Sequence, residues 1–224
     1  MRESPRCTGA VNLDQVIAGY VDGIAILRDV TLELPSAGLV RLVGENGSGK
    51  STFIELASGY LLPWSGSVTI FGRPAHSAAA RPSRRVCRSQ PALFPGMTVR
   101  DHLVFAAMCT RSSHRALFER ADRLGLGEWL DSDSAMLSTG TVRKLWLLMC
   151  TAGDFGVVLL DEPMNGLDAG AQGLVSDDIA RWSKSGLAVL VSHFLPPSLA
   201  DVERLEITPS LIAPEPVTAK AALQ

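Results

Sequence analysis

Eight consecutive residues, Gly44-Glu45-Asn46-Gly47-Ser48-Gly49-Lys50-Ser51, constrain this chain more than any other stretch. They fit the pattern G-x-x-x-x-G-K-[ST] at every fixed position. The glycines let backbone N–H groups turn inward and approach phosphate oxygens that a Cβ would hold off. Lys50 carries a point charge toward β- and γ-phosphates, and the Ser51 hydroxyl can reach the Mg2+ that bridges them. Such a loop needs a strand before it and a helix after it, because the helix N-terminus adds its positive end to the cradle. The flanks agree. Leu39-Val40-Arg41-Leu42-Val43 is a short apolar run that reads as a buried strand. Residues 52–58 carry Phe53, Ile54, Leu56 and Ala57 ahead of Gly59, a helix stop.

The 224 residues suffice for one large domain, or a domain with a small appended lobe. A net charge of −2 excludes the strongly basic balance of a nucleic-acid binder, so no nucleic-acid partner is expected. Arg81, Arg84, Arg85 and Arg88 form a local basic cluster that reads as a solvated face. Cys7, Cys87, Cys109 and Cys150 are scattered, without a Cys-x-x-Cys pair. That spacing argues against a zinc site or a disulfide framework, and for a reducing compartment. Residues 1–9 lack an apolar signal core, and no apolar run approaches the roughly 20 residues needed to span a bilayer. Any membrane role is therefore expected to come from a partner chain.

Strands are predicted over 11–18, 30–34, 39–43 and 67–71, giving a β-rich lobe around the loop. Residues 72–84 read as a surface connection. Helices are predicted over 98–110, with Thr98 as N-cap, and over 115–124, so that roughly 95–140 forms a helical insert. A strongly periodic helix follows over 141–151, then a buried strand over 155–160, a helix over 174–182 and a second buried strand over 187–191. Strands alternating with helices imply an α/β fold with a mainly parallel sheet. The Pro- and Ala-rich stretch 209–224 reads as a loose tail.

Val157-Val158-Leu159-Leu160-Asp161-Glu162-Pro163 sets two carboxylates at the end of an apolar strand, the place where a parallel sheet presents its ligands. Paired acids are also common in solvated turns. Behind a phosphate loop they gain a job: Asp161 can hold Mg2+, and Glu162 can polarise an attacking water.

With these motifs in this order, the chain resembles the nucleotide-binding subunit of an ATP-binding-cassette (ABC) transporter over about residues 10–205. Residues 44–52 match the family's Walker A loop, Gln90 its Q-loop, 137–141 its signature and 157–162 its Walker B strand. Asn165-Gly166-Leu167-Asp168 matches the D-loop and His193 the switch histidine. The resemblance implies a phosphate-loop NTPase core with an antiparallel β subdomain and a helical insert, as one domain over 10–208. It implies ATP and Mg2+ as cofactors. Nucleotide contacts would come from Tyr20, stacking on adenine, and from Gly44, Glu45, Asn46, Gly47, Ser48, Gly49, Lys50, Ser51 and Thr52. Metal contacts would come from Ser51, Gln90 and Asp161. Catalytic roles would fall to Glu162, His193, Lys50 and Gln90. The expected partners are a transmembrane permease and a second ATPase subunit, whose ATP would be reached by Ser138 and Gly140. The expected location is the cytoplasmic face of the membrane, and the expected direction is export. A soluble non-transport ATPase of the same family, or a weakly active regulatory subunit, is the alternative. The signature departs from the family's Leu-Ser-Gly-Gly-Gln: here it is Leu137-Ser138-Thr139-Gly140-Thr141, and the Cβ of Thr139 would sit close to the nucleotide.

Overall fold

The structure, a computed structural model, describes residues 9–193, 195–199 and 204–207. The expected tail at 209–224 lies outside the described residues. In chain order the elements are β1 Val11–Ala18, β2 Leu27–Leu34, β3 Gly38–Leu42, α1 Lys50–Ala57, β4 Ser65–Ile70, β5 Arg73–Pro74 and β6 Arg84–Cys87. The helical segment holds α2 Val99–Thr110, α3 His114–Arg123 and α4 Thr139–Cys150. Then come β7 Val157–Asp161, α5 Ala169–Ser185, β8 Leu187–Val191 and β9 Arg204–Ile207.

Two sheets form. One is parallel with order β6-β7-β8-β3-β9; the other is antiparallel with order β2-β1-β4-β5. The fold is therefore α/β with an antiparallel β lobe and helices, as the sequence implies. Every residue of β7 and β8 is buried, which explains their unbroken apolar runs: both faces of a parallel sheet are covered. Successive side chains point to opposite faces. Val157 and Leu159 pack in one cluster with β1, β2, β4 and α1, whereas Val158 and Leu160 pack in a second with α2, α4 and α5. The sheet is thus the wall between two cores.

The helical segment docks through a local device as well as through apolar contacts. Thr98 caps α2 in a reciprocal capping box with Asp101. One turn on, His102 is fully buried. Its Nδ1–H donates to the Thr98 carbonyl at 2.8 Å, and its Nε2 accepts the Phe94 N–H at 2.9 Å. The neutral imidazole thereby pins the loop before α2 to the helix itself. Replacing His102 with Ala leaves the Phe94 N–H without its acceptor. A loss of about 1–3 kcal/mol is expected, read as a lower urea midpoint.

The structure corrects three expectations. The segment 72–84 is not only a connection: it contains β5 and leads into β6, an edge strand of the parallel sheet. The arginine cluster is not a solvated face as a whole: of the four only Arg81 is exposed. Arg84 is buried and donates to the Ser58 carbonyl, Arg85 Nε donates to the Ala152 carbonyl at 2.7 Å, and Arg88 grips Glu55 with two hydrogen bonds of 2.7 and 2.8 Å. Helix α5 begins at Ala169, five residues before the predicted start at 174, because Asp168 caps it by accepting the Ala171 N–H at 2.9 Å.

Candidate nucleotide site

Register alone brings the expected site residues together. In β3, β7 and β8 the last residues lie in one row: Val191 pairs with Leu42 on one side and with Asp161 on the other. The loops that leave these strands therefore emerge side by side. They enclose a cavity of about 380 Å³ lined by Tyr20, Asn46, Gly47, Gly49, Lys50, Ser51, Thr52, Ser89, Asp161, Glu162 and His193, among others.

The glycine-rich loop is built for an anion. Gly49 has φ +93°, and a Cβ there would lie 2.5 Å from a Leu27 methyl, so glycine is required by both backbone and space. Gly49 also stands at the N-cap of α1, where no side chain caps the helix, so the N–H groups of the first turn remain available to a ligand. Lys50 Nζ folds over the loop and donates to the carbonyls of Gly44 and Glu45, each at 2.8 Å. A phosphate in this cradle would compete for that ammonium. Tyr20 is 58% exposed at the rim, with its ring free to stack.

Asp161 is buried at the end of β7. Burial, aided by the charge of Glu55, holds its carboxyl above the usual range; a hydrogen bond from the Ser89 side chain and the charge of Arg143 offset only part of that rise. Glu162 has φ +49°, a left-handed conformation unusual for a glutamate. Its carboxylate accepts the His193 N–H at 3.1 Å, and His193 Nε2 lies 3.6 Å from the same oxygen. Glu162 is sheltered, with 13% side-chain exposure, and His193 is open at 67%.

The donor set fits Mg2+. The Ser51 hydroxyl and the Asp161 carboxylate are hard oxygen ligands facing one cavity. Among the described residues no cluster of three or more His, Cys, Asp or Glu could hold a metal unaided, so phosphate oxygens would have to complete the shell.

The structure leaves six expected residues off the cavity wall: Gly44, Glu45 and Ser48, which belong to the glycine-rich loop itself, and Gln90, Ser138 and Gly140. Gln90 is exposed and does not line it; its neighbour Ser89 does. Ser138 and Gly140 lie at the start of α4, also away from it. Ser138 is exposed and caps the helix, accepting the Thr141 N–H at 3.2 Å. A Cβ on Gly140 would approach the Gly166 carbonyl to 3.1 Å. Ser89 and Arg143 were missed. Ser89 was hidden because β6 was not read as a strand, and no local pattern marks Arg143.

A larger cleft, about 620 Å³, lies at the opposite ends of the strands, near Gly156 and Leu187. It offers no phosphate-binding backbone motif. Two of its arginines are committed internally: Arg120 and Arg181 both pair with Asp178. Chemistry rather than volume therefore selects the smaller cavity.

A protein-family model described as "ABC transporter" matches residues 27–165. The chain belongs to the ABC transporter family. Relatives agree: the taurine import ATP-binding protein TauB of Ruegeria pomeroyi is 31% identical over 86% of this chain and 72% of its own length. Human phospholipid-transporting ATPase ABCA3 is 31% identical over 76% of this chain, which spans only 10% of that much longer protein. Among solved structures, the ATP-binding subunit of an ABC transporter superposes with TM-score 0.78 at 23% identity, covering 90% of this chain and 87% of the other. A bacterial Atm1-family ABC exporter with ATP bound gives 0.75 at 18% identity, covering 93% and 40%. At those identities the structural likenesses speak for the fold. The chain is thus an ABC ATP-binding domain, of the class of ATPases coupled to transport. Among the described residues no helix is long and apolar enough to cross a membrane.

Proposed function

We propose that this ABC domain, spanning residues 10–208, binds and hydrolyses ATP to drive transport through a separate membrane subunit. The observation that carries this reading is the convergence of Lys50, Ser51, Asp161, Glu162 and His193 on one cavity. Lys50 and the open N–H groups of α1 would bind the phosphates. Ser51 and Asp161 would hold Mg2+, which when bound neutralises charge on the phosphate oxygens. Glu162, sheltered and anchored through the His193 N–H, would orient the attacking water and accept its proton. His193, exposed on the cavity side, would contact the γ-phosphate. Tyr20 would stack on the base.

Two such chains would close around two ATP molecules, each donating Ser138 and Gly140 to the other's nucleotide. This accounts for two exposed or half-exposed residues that do not line the nucleotide cavity of their own chain. Gln90, exposed beside Ser89, would turn toward the metal only in that closed state. The pair would sit on the cytoplasmic face of the membrane, against its permease. On direction, the expected export draws no support from the relatives matched over most of their own length. Those are named for taurine import, and import is the direction we infer.

The test is assembly. With a slowly hydrolysed ATP analogue, the chain should shift from one to two copies by light scattering. Cysteines introduced by Ser138→Cys and Asn46→Cys should crosslink between chains only with the analogue present. A chain that stays single and uncrosslinked at saturating analogue would overturn the paired site. Accumulation of substrate inside or outside sealed vesicles carrying the permease then reads direction.

A further inference from the structure

Arg143 lies on α4, two residues beyond the signature, and its guanidinium reaches out of the helical segment to the loops that frame the acid pair. Nε donates to the Asn165 carbonyl at 3.0 Å, one terminal nitrogen donates to the Ser89 carbonyl, and the other lies 3.4 Å from the Glu162 carbonyl. Ser89 and Glu162 both line the nucleotide cavity. Two neighbours on the same helix add weaker versions of this link. Trp146 Nε1 donates to the Arg88 carbonyl at 3.0 Å, and Lys144 pairs with Asp168 at 2.7 Å. Each of those touches one loop; Arg143 touches both.

The Glu162 peptide is the one that needs holding. Its backbone is left-handed, a conformation that persists only when its surroundings fix it. Its N–H donates to the Val191 carbonyl at 2.8 Å, its carboxylate accepts the His193 N–H, and its own carbonyl accepts the Asn165 N–H at 3.3 Å with Arg143 beside it at 3.4 Å. On the side of this peptide that the parallel sheet does not reach, Asn165 supplies a local turn bond and Arg143 supplies a donor from a separate helix, which also holds the Asn165 carbonyl.

We propose that Arg143 is a positioning residue for hydrolysis: its planar fork locks the Ser89 and Glu162 loops into one frame and ties that frame to α4. The inference rests on the ATPase reading above and adds how the signature helix reaches the acid pair within the same chain. A shift of α4 moves the fork, and the fork moves the peptide that aims Glu162. A guanidinium suits this task because its donors lie in a fixed plane. An ammonium is a single point on a flexible stem and does not span separated carbonyls.

The experiment uses Arg143→Met and Arg143→Lys in the full chain assembled with its membrane subunit. Turnover should fall by about ten- to a hundredfold in both, with KM for ATP within about twofold of wild type, since misaiming costs rate rather than affinity. Amide hydrogen exchange should quicken at residues 89–90, 162 and 164–167 and stay unchanged in β7 and β8 up to Asp161. Full turnover in Arg143→Lys would reduce the effect to charge and overturn the proposal. So would wild-type turnover in Arg143→Met, or a parallel loss of ATP affinity and melting temperature, which marks a merely structural residue. Should the wild-type assembly itself not hydrolyse ATP, the ATPase reading falls. The Arg143 link is then judged on exchange alone, and unchanged rates at 89–90, 162 and 164–167 overturn it.

Discussion

Glu162→Gln is expected to cut steady-state ATP turnover by about 10²- to 10⁴-fold while ATP binding stays near wild type. The amide keeps the shape of the carboxylate and can still meet the His193 N–H through its oxygen, so the loop should hold its path. It loses the capacity to take a proton from water. The phosphate cradle, built from residues 44–52, is untouched, and so is the Asp161 carboxylate. Phosphate release by the assembled transporter, together with an independent measure of ATP affinity, separates the two effects. Near-normal turnover would remove Glu162 from its role and leave His193 to be tested in its place.

Asp178→Ala should lower stability by about 3–5 kcal/mol, the cost of leaving a buried cation without its partner. Asp178 on α5 pairs with Arg120 on α3 at 2.8 Å, and both side chains are largely buried, at 13% and 15% exposure. Burial already pushes the Arg120 guanidinium below its ordinary value, and Asp178 is what pulls it back up. Arg120 also donates to the Thr151 carbonyl and hydroxyl, so it joins α3, the end of α4 and α5 at one point. At the usual scaling for a domain of this size, the melting temperature should fall by roughly 6–20 °C. Replacing both residues together, Arg120→Met with Asp178→Leu, should recover much of the loss, because an apolar pair carries no desolvation penalty. A double variant no better than Asp178→Ala would show that the hydrogen bonds to Thr151, rather than the charge pair, hold the junction.

Most of the site was legible because its chemistry is local. The phosphate loop needs glycines at fixed spacing, and Asp161 and Glu162 must follow an apolar strand. Those requirements are written in consecutive residues. Strand β8 was read to its observed ends, since five buried apolar residues leave no other interpretation. Strand β6 was not read, because Arg84-Arg85-Val86-Cys87 shows no apolar run. Its arginines are tolerated inside by backbone carbonyls that lie far off in sequence, at Ser58 and Ala152. The start of α5 was missed for a similar reason. Gly170 and Gly173 lower its helix propensity, and the Asp168 cap and its ion pair with Lys144 offset that loss.

The sequence by itself determined which chemical groups exist and in what local frame: a phosphate cradle, a pair of acids, a histidine after a buried strand. Only the tertiary structure decided which of them meet. It put Ser89 rather than Gln90 on the cavity wall, gave Arg143 its carbonyls, and matched Arg120 with Asp178 across 58 positions. The reason is physical. Spacing along the chain fixes periodic backbone geometry and the residues a turn or strand end presents. Contacts between distant segments are fixed by how sheet and helices close on one another, and a single guanidinium reads the same in sequence whether it faces water or three backbone carbonyls.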